Sequence, residues 1–121
     1  ETGQGHVNNV SLAGYLQEAR ILATTSWSPG MRRAGNYLWV VVRQDIRYRR
    51  QVLPTQRSCR VHTALTRLGT SSMTLAGSIA TEEGSALDAA TVLVCVDPKT
   101  GASVPIDDQT RQALSAYLVA V

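Results

Sequence analysis

Of the two histidines in this chain, one stands among residues that could share chemistry with it. His6 lies in Gly5-His6-Val7-Asn8-Asn9, directly ahead of a run of helical character that carries Glu18 in its middle. An imidazole with an ordinary pKa of ~6.5 exchanges a proton near neutral pH, which suits general acid–base work. A helix start beside it brings unpaired backbone N–H groups and a positive dipole end, both of which favour negative charge on a bound group. His62, alone in a strand-like stretch, has no such neighbours. A second concentration of chemistry is basic: Arg43, Arg47, Arg49, Arg50, Arg57, Arg60 and Arg67 fall within twenty-five residues. Arginine presents a planar fork of donors matched to phosphate and carboxylate, so a phosphate-bearing ligand fits this region as well as a solvated sheet face does.

The elements that must position these groups follow from periodicity. Leu12, Tyr15, Leu16, Ala19, Leu22 and Ala23 recur at three- and four-residue spacing, predicting a helix from Asn9 to about Ser26 with one apolar stripe. Asn8 or Asn9 can serve as its N-cap, and Ser28-Pro29-Gly30 stops it. Residues 31–36 read as loop. Tyr37–Arg49 alternates, with Leu38, Val40, Val42, Ile46 and Tyr48 predicted on one face and Arg43, Asp45, Arg47 and Arg49 on the other. Arg57–Leu68 and Ser71–Ala80 read as strands joined by a turn at Gly69-Thr70. Leu87–Val96, ending in Val92-Leu93-Val94-Cys95-Val96, reads as a central strand buried on both faces. Asp97-Pro98-Lys99-Thr100-Gly101 is a turn by composition, and Asp107 or Asp108 caps a short helix running to about Leu118. Short connections imply an antiparallel meander, and the one long helix has only that sheet to bury its stripe against. An α+β domain with a sheet wrapped around a helix is expected.

Composition narrows the class. The 121 residues suit one domain, and 44% hydrophobic with 17% charged residues describes neither a disordered tail nor a charged helical rod. No apolar run approaches the ~20 residues of a membrane span, so no membrane association is expected. Cys59 and Cys95, both in apolar surroundings, rule out a disulfide scaffold, and a cytoplasmic setting follows. Without a Cys/His/Asp cluster at ligand spacing, no metal is assigned. Aromatic residues make up 5% and Phe is absent, which argues against nucleic acid as a partner despite the arginines.

Gly5-His6-Val7-Asn8-Asn9, followed by Tyr15-Leu16-Gln17-Glu18-Ala19-Arg20, resembles the hotdog-fold acyl-CoA thioesterases, above all the 4-hydroxybenzoyl-CoA thioesterase-like branch and its acyl-carrier-protein thioesterase relatives. Arg47-Tyr48, Gly69-Thr70-Ser71-Ser72, Val96-Asp97 and Val104-Pro105-Ile106 extend the likeness over nearly the whole chain. The resemblance implies an α+β hotdog fold over residues 1–121, with the central helix enclosed by an antiparallel sheet. Members of that family carry a further strand ahead of the motif, so the chain, which begins at Glu1 without Met, is read as lacking it. The implied reaction is hydrolysis of an acyl-CoA or acyl-carrier-protein thioester, with coenzyme A present only as part of the substrate and no cofactor. A homodimer or homotetramer, with sites at the subunit interface, is implied as well.

In that family an amide near the start of the central helix stabilises the oxyanion, which falls here on the backbone N–H of Asn9. The carboxylate commonly found four residues before the His is replaced by Thr2, with Glu1 one residue earlier, and an Asn two residues before the His is replaced by Gln4. The missing carboxylate could be supplied by Glu1 or by Glu18, or His6 could act as base on water positioned by Asn9 and Gln4; His6 with Glu18 is the preferred pair. For substrate binding the resemblance points to Ser71, Ser72 and Tyr48, and the phosphates of coenzyme A would suit Arg49, Arg50 and Arg57. A binding module without hydrolysis is the alternative that Thr2 leaves open.

Overall fold

The computed structural model describes residues 9–27, 37–49, 60–82 and 84–119. Helix α1 spans Asn9–Trp27; strands β1 (Leu38–Tyr48), β2 (Arg60–Leu68), β3 (Ser72–Thr81) and β4 (Gly84–Val96) follow, and helix α2 (Asp108–Ser115) comes last. The four strands form one antiparallel sheet in the order β1-β4-β3-β2. This is the expected α+β hotdog arrangement with one difference. The segment β2-β3-β4 is a meander, but β1 pairs with β4 and lies at the opposite edge from β2. The sheet thereby satisfies the long hydrophobic β4 with a partner on each side.

Helix α1 lies over β2 and β3. Its buried side is made by Leu16 and Thr24, 5% and 1% exposed, with Trp27 packed into the core below. The spacing of these positions keeps them on one face. Leu22, predicted in the same stripe, is instead 72% exposed. At 100° per residue it sits well round the helix from Leu16, and α1 rests on a narrow strip of it. The Thr24 hydroxyl, buried in that contact, donates to the Arg20 carbonyl at 2.8 Å and is satisfied within its own helix.

Two apolar clusters fill the space between the helices and the sheet. Leu16 joins Ile79, Ala86, Leu87 and Ala89, while Leu65, Met73, Leu75, Leu93 and Leu114 pack with Trp27 and Trp39. The first holds the N-terminal half of α1 at the β3–β4 turn, and the second holds its C-terminal end near the β2–β3 turn. Between them Gly77 lets the helix come close: a Cβ there would stand 3.1 Å from Leu16 Cδ2.

Bulges decide which residues face the helix. Register shifts in β1 between Val41 and Arg43, so Val42 is the extra residue. Trp39 pairs with Cys95 and Ile46 with Ala89, both on the helix side, whereas Leu38, Val40, Arg43, Asp45 and Arg47 share the outer side. The predicted single alternation through β1 therefore breaks at Val42: Ile46 and Tyr48 keep their common face, and Leu38 and Val40 join the arginines. A second bulge falls between Leu65 and Arg67 in β2. In β4, Leu93 and Cys95 are buried while Val92, Val94 and Val96 are half-buried, so this strand is covered on one face and only partly on the other. It also begins at Gly84, three residues earlier than the apolar run suggests, because a φ of 115° there turns the chain tightly out of β3.

The C-terminal segment closes one end of the sheet. Asp97 Oδ1 accepts the Lys99 N–H at 2.7 Å and Gly101 takes a φ of 76°, forming the turn anticipated from composition. Asp107 caps α2, accepting the Thr110 N–H at 2.7 Å and the Tyr37 hydroxyl at 2.9 Å. The helix ends at Ser115 rather than Leu118, and Leu118 forms an isolated bridge to Leu65. Arg111 donates to the carbonyls of Gly69 and Thr70 at 2.6 and 3.0 Å, tying α2 to the β2–β3 turn.

Two expectations for stability follow. Gly77→Val should overpack the Leu16 contact and lower stability by about 1–3 kcal/mol, measured by urea unfolding. The backbone N–H of Thr110, with smaller help from the Tyr37 hydroxyl, holds the Asp107 carboxyl below its ordinary pKa. A carboxylate depressed in this way stabilises the fold at neutral pH and loses that contribution as pH falls through the acid range. Asp107→Ala should cost about 1 kcal/mol at neutral pH, with the gap to the unaltered protein narrowing in acid.

Candidate active site

The N-terminal end of α1 is where the sequence places the chemistry, and the fold puts it beside specific neighbours. Asn9 is the first residue of the helix. The N-terminal half of α1 sits over the cluster of Leu16, Ile79, Leu87 and Ala89. Tyr48, paired with Leu87, lies on the same side of the sheet and at the same end. It is 42% exposed. A helix of 19 residues ending its positive dipole over this corner favours an anionic group there.

Glu18 is exposed on α1. By helical geometry it projects about 180° away from the face formed by Leu16 and Trp27, so it points away from the sheet of its own chain. Ser71 and Ser72 lie at the β2–β3 turn, beside the C-terminal end of α1 and thus about a helix length, ~28 Å, from Asn9. There the Ser71 carbonyl accepts the Cys95 N–H at 2.8 Å, and the Ser72 carbonyl accepts the Gly69 N–H at 2.8 Å. Ser72 Oγ would lie 2.6 Å from a Cβ at Gly69, so the hydroxyl is folded into the turn that only glycine leaves room for. Arg49 continues past β1 on the outer side, its guanidinium paired with Asp88 and its N–H donating to the Ala86 carbonyl at 2.8 Å. Within one chain, then, Asn9 and Tyr48 share an end of the molecule, and Ser71, Ser72 and the Arg49 side chain do not join them. His6, Arg50 and Arg57, with Glu1, Thr2 and Gln4, lie outside the described residues.

A group the periodicity did not single out lies under the helix. Arg20, Gln44, Thr63 and Thr91 line a cavity of about 10 Å³ between α1 and the sheet, close to the room a single water takes. Gln44 Nε2 donates to Thr91 Oγ1 at 3.2 Å across its floor. Arg20 could have been noticed because it follows Leu16 by four residues and so falls on the buried face. Gln44 shares the alternation of Ile46 and Tyr48, and its pairing with Thr91 turns that face toward the helix.

The Cys95 thiol does not compete for a catalytic role. Burial, and after it the charge of Asp107, pushes the Cys95 thiol up to about 11, which keeps it protonated and unreactive at neutral pH. Among the described residues, no group of three or more His, Cys, Asp or Glu side chains could hold a metal ion. No helix among them is long and apolar enough to cross a membrane.

Comparison with known proteins bears on the fold and the family. A search of curated proteins finds no match. Among solved structures, a thioesterase from Thermus thermophilus complexed with coenzyme A and Zn is 27% identical, with a TM-score of 0.80 over 97% of this chain and 84% of that one. The PA2801 protein from Pseudomonas aeruginosa is 30% identical, with a TM-score of 0.78 over 94% of this chain and 88% of that one. A thioesterase-superfamily protein from Jannaschia sp. CCS1, 19% identical with a TM-score of 0.86, covers 99% of this chain and 86% of its own and supports the fold. The model of the thioesterase-like superfamily matches residues 4–114, which take in the Gly-His-Val-Asn-Asn motif, α1 and the whole sheet, and the chain belongs to that superfamily.

Proposed function

We propose that the protein hydrolyses an acyl-CoA or acyl-carrier-protein thioester to free acid and thiol. The observation that carries this reading is the start of α1 at Asn9, directly behind the His6 motif and inside the matched stretch. Water adds to the thioester carbonyl carbon, the carbon–sulfur bond breaks, and the departing thiolate takes up a proton. His6 removes the proton from the attacking water, with Glu18 supporting the charge that forms on the imidazole. The backbone N–H of Asn9 and the dipole of α1 stabilise the oxyanion. Coenzyme A enters only as part of the substrate, as the complex of the Thermus thermophilus relative suggests, and the reaction needs no further cofactor.

The site is completed by a second copy of the chain, in a homodimer or homotetramer. Two observations support this: Glu18 projects away from its own sheet, and Ser71 and Ser72 lie a helix length from Asn9 in the same chain. Strand β1 is an edge strand with Val41 and Val42 45% and 58% exposed. Pairing β1 with β1 of a second copy would cover these apolar groups and reverse the partner's sheet, which puts the partner's β2–β3 turn at the same end of the joined sheet as the start of α1. In that assembly Ser71, Ser72 and Tyr48 contact the acyl-pantetheine arm, and Arg49, Arg50 and Arg57 meet the phosphates. The proposed setting is the cytoplasm, with neither nucleic acid nor membrane as partner.

A second reading rests on Thr2, which stands where a carboxylate is expected. The protein would then hold acyl thioesters without cleaving them. Thiol release from short, aromatic and long acyl-CoA esters separates the two. Hydrolysis is expected, with His6→Ala and Glu18→Ala each lowering kcat/KM by about 100-fold or more. Binding of esters without thiol release would select the second reading, and a monomer in sedimentation would overturn the shared site.

A further inference from the structure

The outer face of the sheet, turned away from α1, carries a charge pattern of which the proposed thioester chemistry uses Arg49 and leaves the rest. Arg43, Arg47 and Arg49 stand along the β1 edge and Arg60 and Arg67 along the β2 edge, all of them exposed. The register fixes their alignment. Arg67 pairs with Thr74, Thr74 with Val92, and Val92 with Arg43, so one row across the sheet has arginine at both ends. Two residues along, Ala64, Ala76 and Ala90 form the next row, ended by Asp45, and beyond it His62, Ser78 and Asp88 lead to Arg47. Beside β1 this floor dips into an open depression of about 540 Å³, bordered by Asp45, Arg47, Arg49 and Asp88.

Asp45 and Asp88 neutralise only part of this charge. Arg43 pairs with Asp45 and Arg49 with Asp88, while Arg47, Arg60 and Arg67 make no ion pair among the described residues. The unmatched charge on one face equals the formal +3 of the whole chain. Two such faces would repel each other, which disfavours a second copy as the occupant. Among the described residues the face presents no aromatic ring on which a base could stack, which disfavours single-stranded nucleic acid.

We infer that this face docks an acidic α-helix of another protein, lying along β3 and β4 between the two arginine edges. The dimensions agree: strands ~4.8 Å apart put β1 and β2 about 14 Å from each other, and a helix with its side chains is ~10–12 Å across. Small and aliphatic residues between the edges, among them Thr74, Ala76, Ala90 and Val92, let the helix seat closely, while Glu and Asp on its two flanks reach the guanidinium forks. The interface needs no hydrolysis, so it stands or fails apart from the function proposed above.

The test measures binding of two probes by calorimetry: apo acyl carrier protein, as a small acidic helical protein, and a synthetic amphipathic helix with Glu on both flanks. The unaltered protein should bind at least one of them, more weakly as NaCl rises from about 25 to 150 mM. The triple variant Arg47→Glu, Arg60→Glu, Arg67→Glu should lose about tenfold or more in affinity. Its melting temperature and its thiol release from acyl-CoA should be unchanged, since the three side chains are exposed and lie off the proposed site. Failure to bind either probe, or equal binding by the variant, overturns the inference. So does a single-stranded RNA oligonucleotide that binds in place of both probes and is lost in the variant, or a change of oligomeric state in the variant.

Discussion

The missing side chain at Gly77 sets how closely α1 approaches the sheet, and most of the molecule depends on that approach. Leu16 comes down onto β3 at the one position where a Cβ would stand 3.1 Å away. With the helix seated there, Ile79, Leu87 and Ala89 close around Leu16 at one end, and Trp27 reaches the cluster of Leu65, Met73 and Leu93 at the other. This two-point attachment fixes the helix axis over β2 and β3. It leaves the sides of β4 and β1 beside the helix less covered, which is why Val41, Val42 and Tyr48 remain exposed. The direction of the helix dipole, and hence the corner at which an oxyanion is stabilised, follows from the same seating.

The second organising feature is the division of labour between the two sheet faces. One buries apolar side chains against the helices, and the other carries arginines at both edges over small residues. A pleated strand sorts its residues automatically, but only within an unbroken register. The bulge at Val42 resets that sorting halfway along β1, turning Gln44 and Ile46 inward while Arg43, Asp45 and Arg47 stay outside. One extra residue thus keeps the charges in water and places a polar side chain above Thr91. The extra residue in β2 does the same for Arg67, which would otherwise be forced toward Met73.

The C-terminal segment shows how local signals become tertiary restraints. Asp107 is a strong N-cap by residue type, and in the structure its carboxylate also receives the hydroxyl of Tyr37 from the start of β1. Arg111, one turn further on, holds the β2–β3 turn through two carbonyls. Two short elements far apart in sequence are joined through groups that each element needed to satisfy anyway.

Local structure was legible from residue types and spacing alone. Helical spacing located α1 to within a residue, alternation located the four strands, and the residue types at Asp97–Gly101 and Asp107 marked a turn and a cap. The Gly-His-Val-Asn-Asn motif with its following helix was enough to identify the family. Strand order was not legible, because pairing β1 with β4 instead of β2 depends on which partner buries the long Val92–Val96 strand. Nor was the exposure of Leu22, since a stripe of helical spacing states which residues share a side and not how wide a strip the sheet will cover. The same limit applied to the site. Glu18 and Ser71 are suitable residue types in suitable motifs, yet the direction of Glu18 relative to the sheet and the place of Ser71 relative to Asn9 exist only once α1 is seated on Gly77. Packing of the helix on the sheet set those directions. It also made two parallel edges of five scattered arginines, because cross-strand register brings together residues that the chain itself keeps apart.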